Sequence, residues 1–137
     1  MWAAENGHGE IVNYLISLGA DCNICDSENN TVLHWASLAG KLESIYPLMS
    51  NSDLSVQNIH GDTALHIAAR QAKPKICMLL MAHGANLNIR NLANESPLDV
   101  ADDKGECAKL LKFNIELRSL GIGGYKSNIG DKLILLK

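Results

Sequence analysis

The sequence predicts an all-α solenoid, built from stacked helix-turn-helix repeats of about 33 residues that are joined by β-hairpin loops. The first observation is a recurring motif, TVLHWAS, TALHIAA and SPLDVAD, whose starts lie 32 and 33 residues apart. The second is that the two tryptophans of the chain, Trp2 and Trp35, lie 33 residues apart, so MWAA continues the series backwards. The third is a set of turn residues in one phase, which tolerate the left-handed conformation of a tight hairpin. These turn residues are Asn29, Gly61 and Asn94.

Each repeat is predicted to begin with a short inner helix. A hydroxyl side chain at the helix start caps free backbone donors, and Pro97 occupies a first helical position, where its missing N–H costs nothing. Glycine suits the end of such a helix because it adopts the left-handed conformation without strain. The predicted capping residues are Thr31, Thr63 and Ser96. The predicted helix ends are Gly7, Gly40 and Gly105, with Ala72 in place of glycine in the third repeat.

An outer helix follows in each repeat, carried by EIVNYLIS, LESIYPLM, KICMLLMA and ECAKLLKF. No repeat can bury its apolar face alone, so stacked neighbours are predicted to share one continuous core. Pro47 lies inside the second outer helix and predicts a kinked or shortened helix there. The predicted core residues are Leu33, Leu65, Leu98, Ile11, Leu15, Ile76 and Leu80.

Composition narrows the class of protein. The chain has 137 residues, 47% of them hydrophobic and 20% charged, which suits one compact domain. The net charge of −3 offers no basic stripe for nucleic acid and favours a basic partner. No apolar run approaches the roughly 20 residues of a membrane span, and the N-terminus lacks the features of a signal peptide. We therefore expect a soluble intracellular protein that binds neither nucleic acid nor membrane.

The sequence offers little basis for catalysis or metal binding. Cys22 and Cys25 have the spacing of zinc ligands, but no second pair follows, so reduced thiols and no cofactor are expected. Asp102 and Asp103 are adjacent and cannot share a helical face, which disfavours a pair of catalytic carboxylates. No glycine-rich phosphate loop and no nucleophile in a recognisable setting occur. We expect no catalytic residues and no enzyme activity in this chain.

Motif, period and turn chemistry together resemble the ankyrin repeat over residues 1–113. The resemblance implies about four repeats, the first of them incomplete. Because the chain begins inside a repeat, we expect Met1 to be an artificial start or the start of a truncated product. Residues 114–137 leave the pattern and are expected to form a helix extension and a loosely packed tail, since Gly121, Gly123 and Gly124 break any helix.

The repeat period places the two tryptophans on neighbouring inner helices. Packed helices lie roughly 8–10 Å apart, and a ring attracts a cation within about 6 Å of its centroid, so a methylated ammonium fits between Trp2 and Trp35. Glu5 follows Trp2 by three residues, on the same helical face, and would supply a countercharge. The alternative is that both tryptophans are packing contacts and that Glu5 is a solvated residue of the first helical turn.

A narrower resemblance bears on this choice. VLHWASLAG and NIHGDTALHIAAR, with the repeat before them, resemble the ankyrin domain of the euchromatic histone-lysine methyltransferases over about residues 1–104. In that family an aromatic cage of tryptophans and one glutamate reads mono- and dimethyl-lysine, and Trp2, Glu5 and Trp35 fall on matching positions. A further tryptophan of that cage, five residues earlier, lies outside this chain. The resemblance implies a truncated histone-tail reader in the nucleus, without the SET domain that catalyses methylation.

Two further sets of residues have both a functional and an ordinary structural interpretation. Asp26 and Glu28 lie in the hairpin before Trp35 and would contact arginine or lysine of a histone tail, or else only solvate the hairpin. His34 and His66 belong to the repeated LH motif, which predicts a structural hydrogen bond within the stack. The alternative function is a general ankyrin scaffold that binds other proteins through its groove and has no dependence on methyl-lysine.

Overall fold

The structure, a computed structural model, describes residues 1–121 except for the side chain of Glu5. Helices pack in successive pairs, an inner one followed by an outer one, and within this range no strand forms beyond an isolated antiparallel bridge between Cys25 and Thr31. The predicted all-α solenoid is confirmed. The helices are α1 (Trp2–Glu5), α2 (Gly9–Ser17), α3 (Val32–Ala39), α4 (Leu42–Ile45), a 3₁₀ turn (Tyr46–Leu48), α5 (Ala64–Arg70), α6 (Pro74–Ala82), α7 (Pro97–Val100) and α8 (Glu106–Ser119).

Three inner helices begin as their sequence predicts. The hydroxyl of each capping residue accepts a hydrogen bond from the backbone N–H three residues later, at 3.3–3.4 Å. Pro97 occupies the first position of α7. The capping residues are Thr31, Thr63 and Ser96, so the predicted helix starts are confirmed.

The hairpins between repeats have the predicted left-handed residues, and backbone bonds join neighbouring hairpins. Asn29, Gly61 and Asn94 have φ of 61°, 77° and 61°. The N–H of Ile59 donates to the carbonyl of Glu28 at 3.0 Å, and the equivalent bond links the next pair of hairpins at the same distance. The hairpins are therefore held side by side in one ladder.

The inner-helix ends agree with the sequence in three repeats and differ in the fourth. Gly7, Gly40 and Ala72 adopt positive φ, as predicted. The prediction for Gly105 is wrong, because this residue is extended and lies directly before α8. The chain leaves α7 one turn after its start, with Ala101 in an extended conformation, so no glycine is needed at a helix end there.

The second outer helix is shortened at the predicted place. α4 stops at Ile45 after four residues, and a 3₁₀ turn that contains Pro47 replaces the next turn of helix. Proline lacks the N–H that would donate to the carbonyl four residues earlier, so the α-helix cannot continue through it.

Burial of the predicted core residues differs between the repeats. Ile11 and Leu15 of α2 were predicted in the core, but they are 44% and 43% exposed, so that prediction is wrong for both. α2 packs against α4 and the 3₁₀ turn on one side, through buried Val12 and partly buried Ile16, and has no helix on its other side in the described chain. The confirmed core residues are Leu33, Leu65, Ile76 and Leu80; Leu98 packs against them and is only partly buried.

The last helix continues through the predicted domain boundary at residue 113. α8 extends to Ser119, and Leu117 in its last turns is buried. Arg118 donates to the carbonyls of Ala85 at 2.9 Å and Met81 at 3.3 Å, at the end of α6. Residues 122–137, most of the predicted tail, lie outside the described residues, so the tail stays a prediction.

Candidate functional site

A cleft of about 210 Å³ lies between the second and third repeats. Its walls come from two neighbouring hairpins, which contribute Glu28 and His60, from α3, which contributes Trp35 and Leu38, and from Gln71, which directly follows α5. Loops placed by a rigid helical scaffold are common binding surfaces, so this cleft is the candidate functional site.

The apolar wall of the cleft is formed by α3 and α5. The indole Nε1 of Trp35 donates to the Asp26 carboxylate at 2.9 Å, which fixes the orientation of the ring. Leu38 lies one helical turn further on and is 45% exposed. Ile67, at the repeat position of Trp35, completes the wall from α5. Trp35 and Leu38 thus leave apolar surface open to an aliphatic or aromatic side chain.

Asp26 organises its own hairpin. One carboxylate oxygen accepts the backbone N–H groups of Asn30 at 2.8 Å and Glu28 at 3.0 Å, and the other accepts the indole of Trp35. The hydrogen bond from the Asn30 backbone is the largest of the contacts that hold the pKa of Asp26 below its usual value of 3.8. Both oxygens are therefore engaged, by the hairpin backbone and by Trp35 of α3, whereas Glu28 is exposed at the rim of the cleft.

The floor of the cleft contains an ion pair. Arg70 donates to both oxygens of Asp62, at 2.8 and 3.2 Å, and Asn91 of the next hairpin donates to the same carboxylate at 3.0 Å. Burial raises the pKa of Asp62, but the hydrogen bonds from Arg70 and Asn91 together lower it by more than burial raises it. The pKa of Asp62 therefore lies below its usual value. The Arg70 side chain is 41% exposed, so its guanidinium is open to the cleft.

The histidines of the LH motif connect each inner helix to the following hairpin, as the sequence predicts. Nδ1 of His34 accepts from the Thr31 backbone N–H at 3.1 Å, and its Nε2 contacts the carbonyl of Asp62 at 2.9 Å, which makes Nε2 the protonated nitrogen. His66 makes the same contacts with Thr63 and Glu95. Burial lowers the pKa of His34, so its ring is neutral near pH 7.

The two tryptophans of the predicted methyl-lysine cage do not line the same cleft. Trp2 is 64% exposed, and its ring stacks on His8 with centroids 5.0 Å apart. Trp35 lines the cleft beside Glu28, whereas Trp2 does not line it. α1 and α3 do pack together, but no cluster of aromatic rings joins Trp2 to Trp35 in residues 1–121. Glu5 ends α1, and its side chain lies outside the described structure.

Sequence reasoning missed the polar floor of the cleft. Asp62 shares its repeat position with Asn30 and Glu95, and only in the third repeat does an arginine, Arg70, follow eight residues later on the inner helix. That pairing of positions was a readable signal. The exposure of Leu38 could not be predicted from the sequence, since a leucine in an apolar helix gives no sign of exposure.

The four cysteines are free thiols, with Cys25 exposed and Cys22, Cys77 and Cys107 buried. Across the described residues, no three histidine, cysteine or acidic side chains converge as a metal ion would require. No helix in residues 1–121 combines the length and apolar character needed to cross a membrane.

The family comparison identifies the class of protein. The family model described as ankyrin repeats (3 copies) matches residues 1–58 and 33–119. This chain belongs to the ankyrin-repeat family, whose repeats form scaffolds for protein–protein interaction.

The relatives are diverse in kind. The chain is 35% identical over 105 residues to a Danio rerio protein named as a palmitoyltransferase, ZDHHC13, covering 75% of this chain and 16% of the relative. It is 31% identical over 109 residues to ankyrin repeat and SOCS box protein 5 of Oryctolagus cuniculus (80% and 33%). It is 30% identical over 114 residues to transient receptor potential cation channel subfamily A member 1 of Homo sapiens (81% and 10%).

This chain therefore spans no more than a third of the length of these relatives. None of the three is a histone methyltransferase. The predicted ankyrin resemblance is confirmed, whereas the narrower resemblance gains no support from these relatives.

Proposed function

We propose that this chain is a protein-binding module that holds a segment of a partner protein in the cleft between its second and third repeats. The observation that carries the proposal is the arrangement of the cleft walls. Internal hydrogen bonds fix Trp35, Asp26 and Asp62, while Leu38 and Glu28 remain exposed beside them. A preorganised wall of this kind loses little conformational entropy when a partner binds.

The chemistry of the cleft favours a basic segment with an aliphatic side chain. The aliphatic group would lie against Trp35 and Leu38, and a lysine or arginine would pair with Glu28 at the rim. The guanidinium of Arg70 has donors left over from its pairing with Asp62, which would bind a backbone carbonyl of the partner. The net charge of −3 also favours binding of basic partners. The module would bind without catalysing a reaction.

A narrower form of the proposal has a methylated histone tail as the partner, in a chromatin-regulating methyltransferase or a fragment of one, in the nucleus. Trp35 supports it, because its fixed ring stands beside the exposed carboxylate of Glu28. A cage with Glu5 also needs a second ring. The Trp2 ring would have to leave His8 and turn toward Trp35 for a methylated ammonium to contact both faces.

The test is a tryptophan-fluorescence titration with histone-three tail peptides that are unmodified, mono-, di- or trimethylated at lysine nine. These peptides are basic, so the general proposal predicts that all four bind. Glu28→Lys should weaken their binding about tenfold, since it reverses the charge at the rim. The matched control is Glu43→Lys, the same charge change on α4 outside the cleft, which should leave binding within about twofold.

Equal weakening by Glu28→Lys and Glu43→Lys, or no binding by any peptide, would contradict the cleft as a site for basic segments. The narrower form predicts in addition a preference for the mono- and dimethylated peptides, which Trp35→Ala and Trp2→Ala should each remove. Equal affinity for all four peptides would retain the general scaffold and discard the methyl-lysine cage.

A further inference from the structure

Two buried thiols on neighbouring outer helices lie in contact with each other. The Sγ atom of Cys77, in α6, donates a hydrogen bond to the Sγ atom of Cys107, in α8, over a distance of 3.8 Å. Both residues are buried in the core that joins the third and fourth repeats, and both are free thiols. A disulfide bond is about 2.0 Å long, so the two sulfurs need to approach by only roughly 1.8 Å to form one.

The two thiols differ in how readily they ionise. Burial raises the pKa of both, so both are protonated near neutral pH and react slowly. The hydrogen bond from Cys77 lowers the pKa of Cys107, and Cys107 is the second residue of α8, where free backbone N–H groups stabilise a thiolate. The neighbouring Glu106 carboxylate opposes this effect. Cys77 is the donor of the bond, which raises its own pKa further, so Cys107 is the thiol that ionises first.

An open pocket of about 230 Å³ reaches one of the two thiols. The third repeat contributes Ala69 and Pro74 to its lining, and the fourth contributes Asp102 and Cys107. Cys77 does not line the pocket and lies in contact with Cys107 instead. A molecule of the size of a peroxide therefore meets Cys107 first, with the second thiol within reach of the product.

We propose that Cys77 and Cys107 are an oxidation site, at which a hydroperoxide converts the two thiols into a disulfide between α6 and α8. The Cys107 thiolate attacks one oxygen of the peroxide, so an S–O bond forms, the O–O bond breaks, and the leaving oxygen takes up the thiol proton. Cys77 then attacks the sulfur of this sulfenic acid. The S–S bond forms, the S–O bond breaks, and water leaves with the Cys77 proton. Two thiols are oxidised, and one hydrogen peroxide is reduced to two waters.

The disulfide would fix the fourth repeat to the third. The two cysteines are 30 residues apart in the sequence, so the bond closes a long loop and restricts the unfolded chain. The inner helix of the fourth repeat, α7, has only four residues, and the bond would add a covalent link to its outer helix. Neither cysteine lines the cleft between the second and third repeats, so this oxidation site is independent of the proposed function.

The experiment uses the full chain with Cys22→Ala and Cys25→Ser, which leaves the pair as its only thiols. After treatment with millimolar hydrogen peroxide, the intact mass should fall by that of two hydrogen atoms, and peptide mapping should find Cys77 linked to Cys107. The Tm of the oxidised chain should be at least about 5 °C above that of the reduced chain. Dithiothreitol should reverse both changes. The same link is expected in the wild-type chain.

The matched control adds Cys77→Ala to the same background. It keeps Cys107 and the pocket, so dimedone should trap the sulfenic acid while neither the loss of hydrogen nor the rise in Tm occurs. Circular dichroism before oxidation establishes that both variants fold.

Two results would overturn the proposal. One is a pair that stays reduced under conditions that oxidise the exposed Cys25 of the wild-type chain. The other is a disulfide that forms but leaves the Tm unchanged or lowers it, because the folded packing of α6 and α8 would then not accommodate the bond.

Discussion

The first and third repeats carry apolar residues at the same positions of their outer helices, yet α2 exposes Ile11 and Leu15 while α6 buries Ile76 and Leu80. The residue types are the same, and the helices have the same length of nine residues. The difference lies in the neighbours, since α6 packs between two outer helices and α2 against one side only. In a stack of this kind, the neighbours of a repeat decide how much free energy its side chains contribute.

The loops show the same contrast. The hairpin that enters the third repeat is fixed from both sides, because Asp62 is bound by Arg70 of its own repeat and Asn91 of the next hairpin. Gly19, in the loop after α2, has no heavy atom within 4 Å of the position of a Cβ. The cleft lies against the fixed hairpin, so its walls are held in place by these hydrogen bonds.

Truncation of the two equivalent leucines should give the largest difference. Leu80→Ala removes a fully buried side chain and leaves a cavity, so it should lower the free energy of unfolding by about 2–5 kcal/mol. Leu15→Ala, at the same register position, should lower it by less than about 1 kcal/mol. Urea unfolding followed by circular dichroism, at micromolar protein, measures both. Comparable losses would show that the first repeat contributes to the core as fully as the third.

The two loops are compared by adding a methyl group to a glycine in each. Gly61 has φ +77°, and a Cβ there would lie 2.6 Å from the backbone nitrogen of Leu92. Gly61→Ala should therefore cost about 2–4 kcal/mol, from backbone strain together with the clash. Gly19→Ala, at φ +89° in open space, should cost only the strain of about 1 kcal/mol. A larger loss for Gly19→Ala in the same urea experiment would refute the contrast.

The two ion pairs of the stack give a smaller difference. Arg70 holds the Asp62 side chain, which is 6% exposed, whereas Arg90 pairs with Asp99, which is 48% exposed. Arg70→Ala should cost about 1–2 kcal/mol, because it removes two hydrogen bonds to a buried carboxylate while Asn91 keeps a third. Arg90→Ala should cost below about 1 kcal/mol, as surface pairs do. Thermal unfolding at low and high salt separates them, and equal losses would contradict the account.

The smallest expected effect is a dependence on pH that the second repeat has and the first lacks, since Met1 stands at the repeat position of His34. The pKa of His34 is lowered from its ordinary 6.5 by burial, so the unfolded chain binds a proton more readily than the folded chain. Its contribution to stability is present above pH 6.5 and is lost as the pH falls below that value. The free energy of unfolding should therefore fall between pH 7.5 and 5.5.

His34→Gln is the matched control for this prediction, because it removes the titrating ring and keeps a polar side chain. The variant should show a smaller loss of unfolding free energy over the same pH interval. A wild-type loss no larger than that of the variant would show that His34 does not couple the second hairpin to pH.

The sequence predicted the parts of the fold that depend on local chemistry. The capping residues, the left-handed Asn29 and Asn94 and the break at Pro47 each follow from the conformational preference of one residue type. Gly105 misled the prediction, since glycine is equally compatible with a helix end and with the extended residue before a helix. The exposure of Ile11 could not be predicted from the sequence either, because it depends on the neighbours of α2 and not on the sequence of α2.

Less of the candidate site was predictable. Trp35 and Glu28 were identified from the repeat register, and both line the cleft. Asp26 was expected to be available to a partner, but its hydrogen bond to the Trp35 indole arises only when the hairpin folds back on α3. The pairing of Asp62 with Arg70 needed the register of three repeats to be compared at two positions at once.

The most direct test of the account is amide hydrogen exchange of this chain, resolved by residue. We expect α6 to exchange only with global unfolding, whereas α2 should exchange through a local opening of lower free energy that leaves the cleft intact. Equal protection of α2 and α6 would contradict it, because the neighbours of a repeat would then not decide its stability.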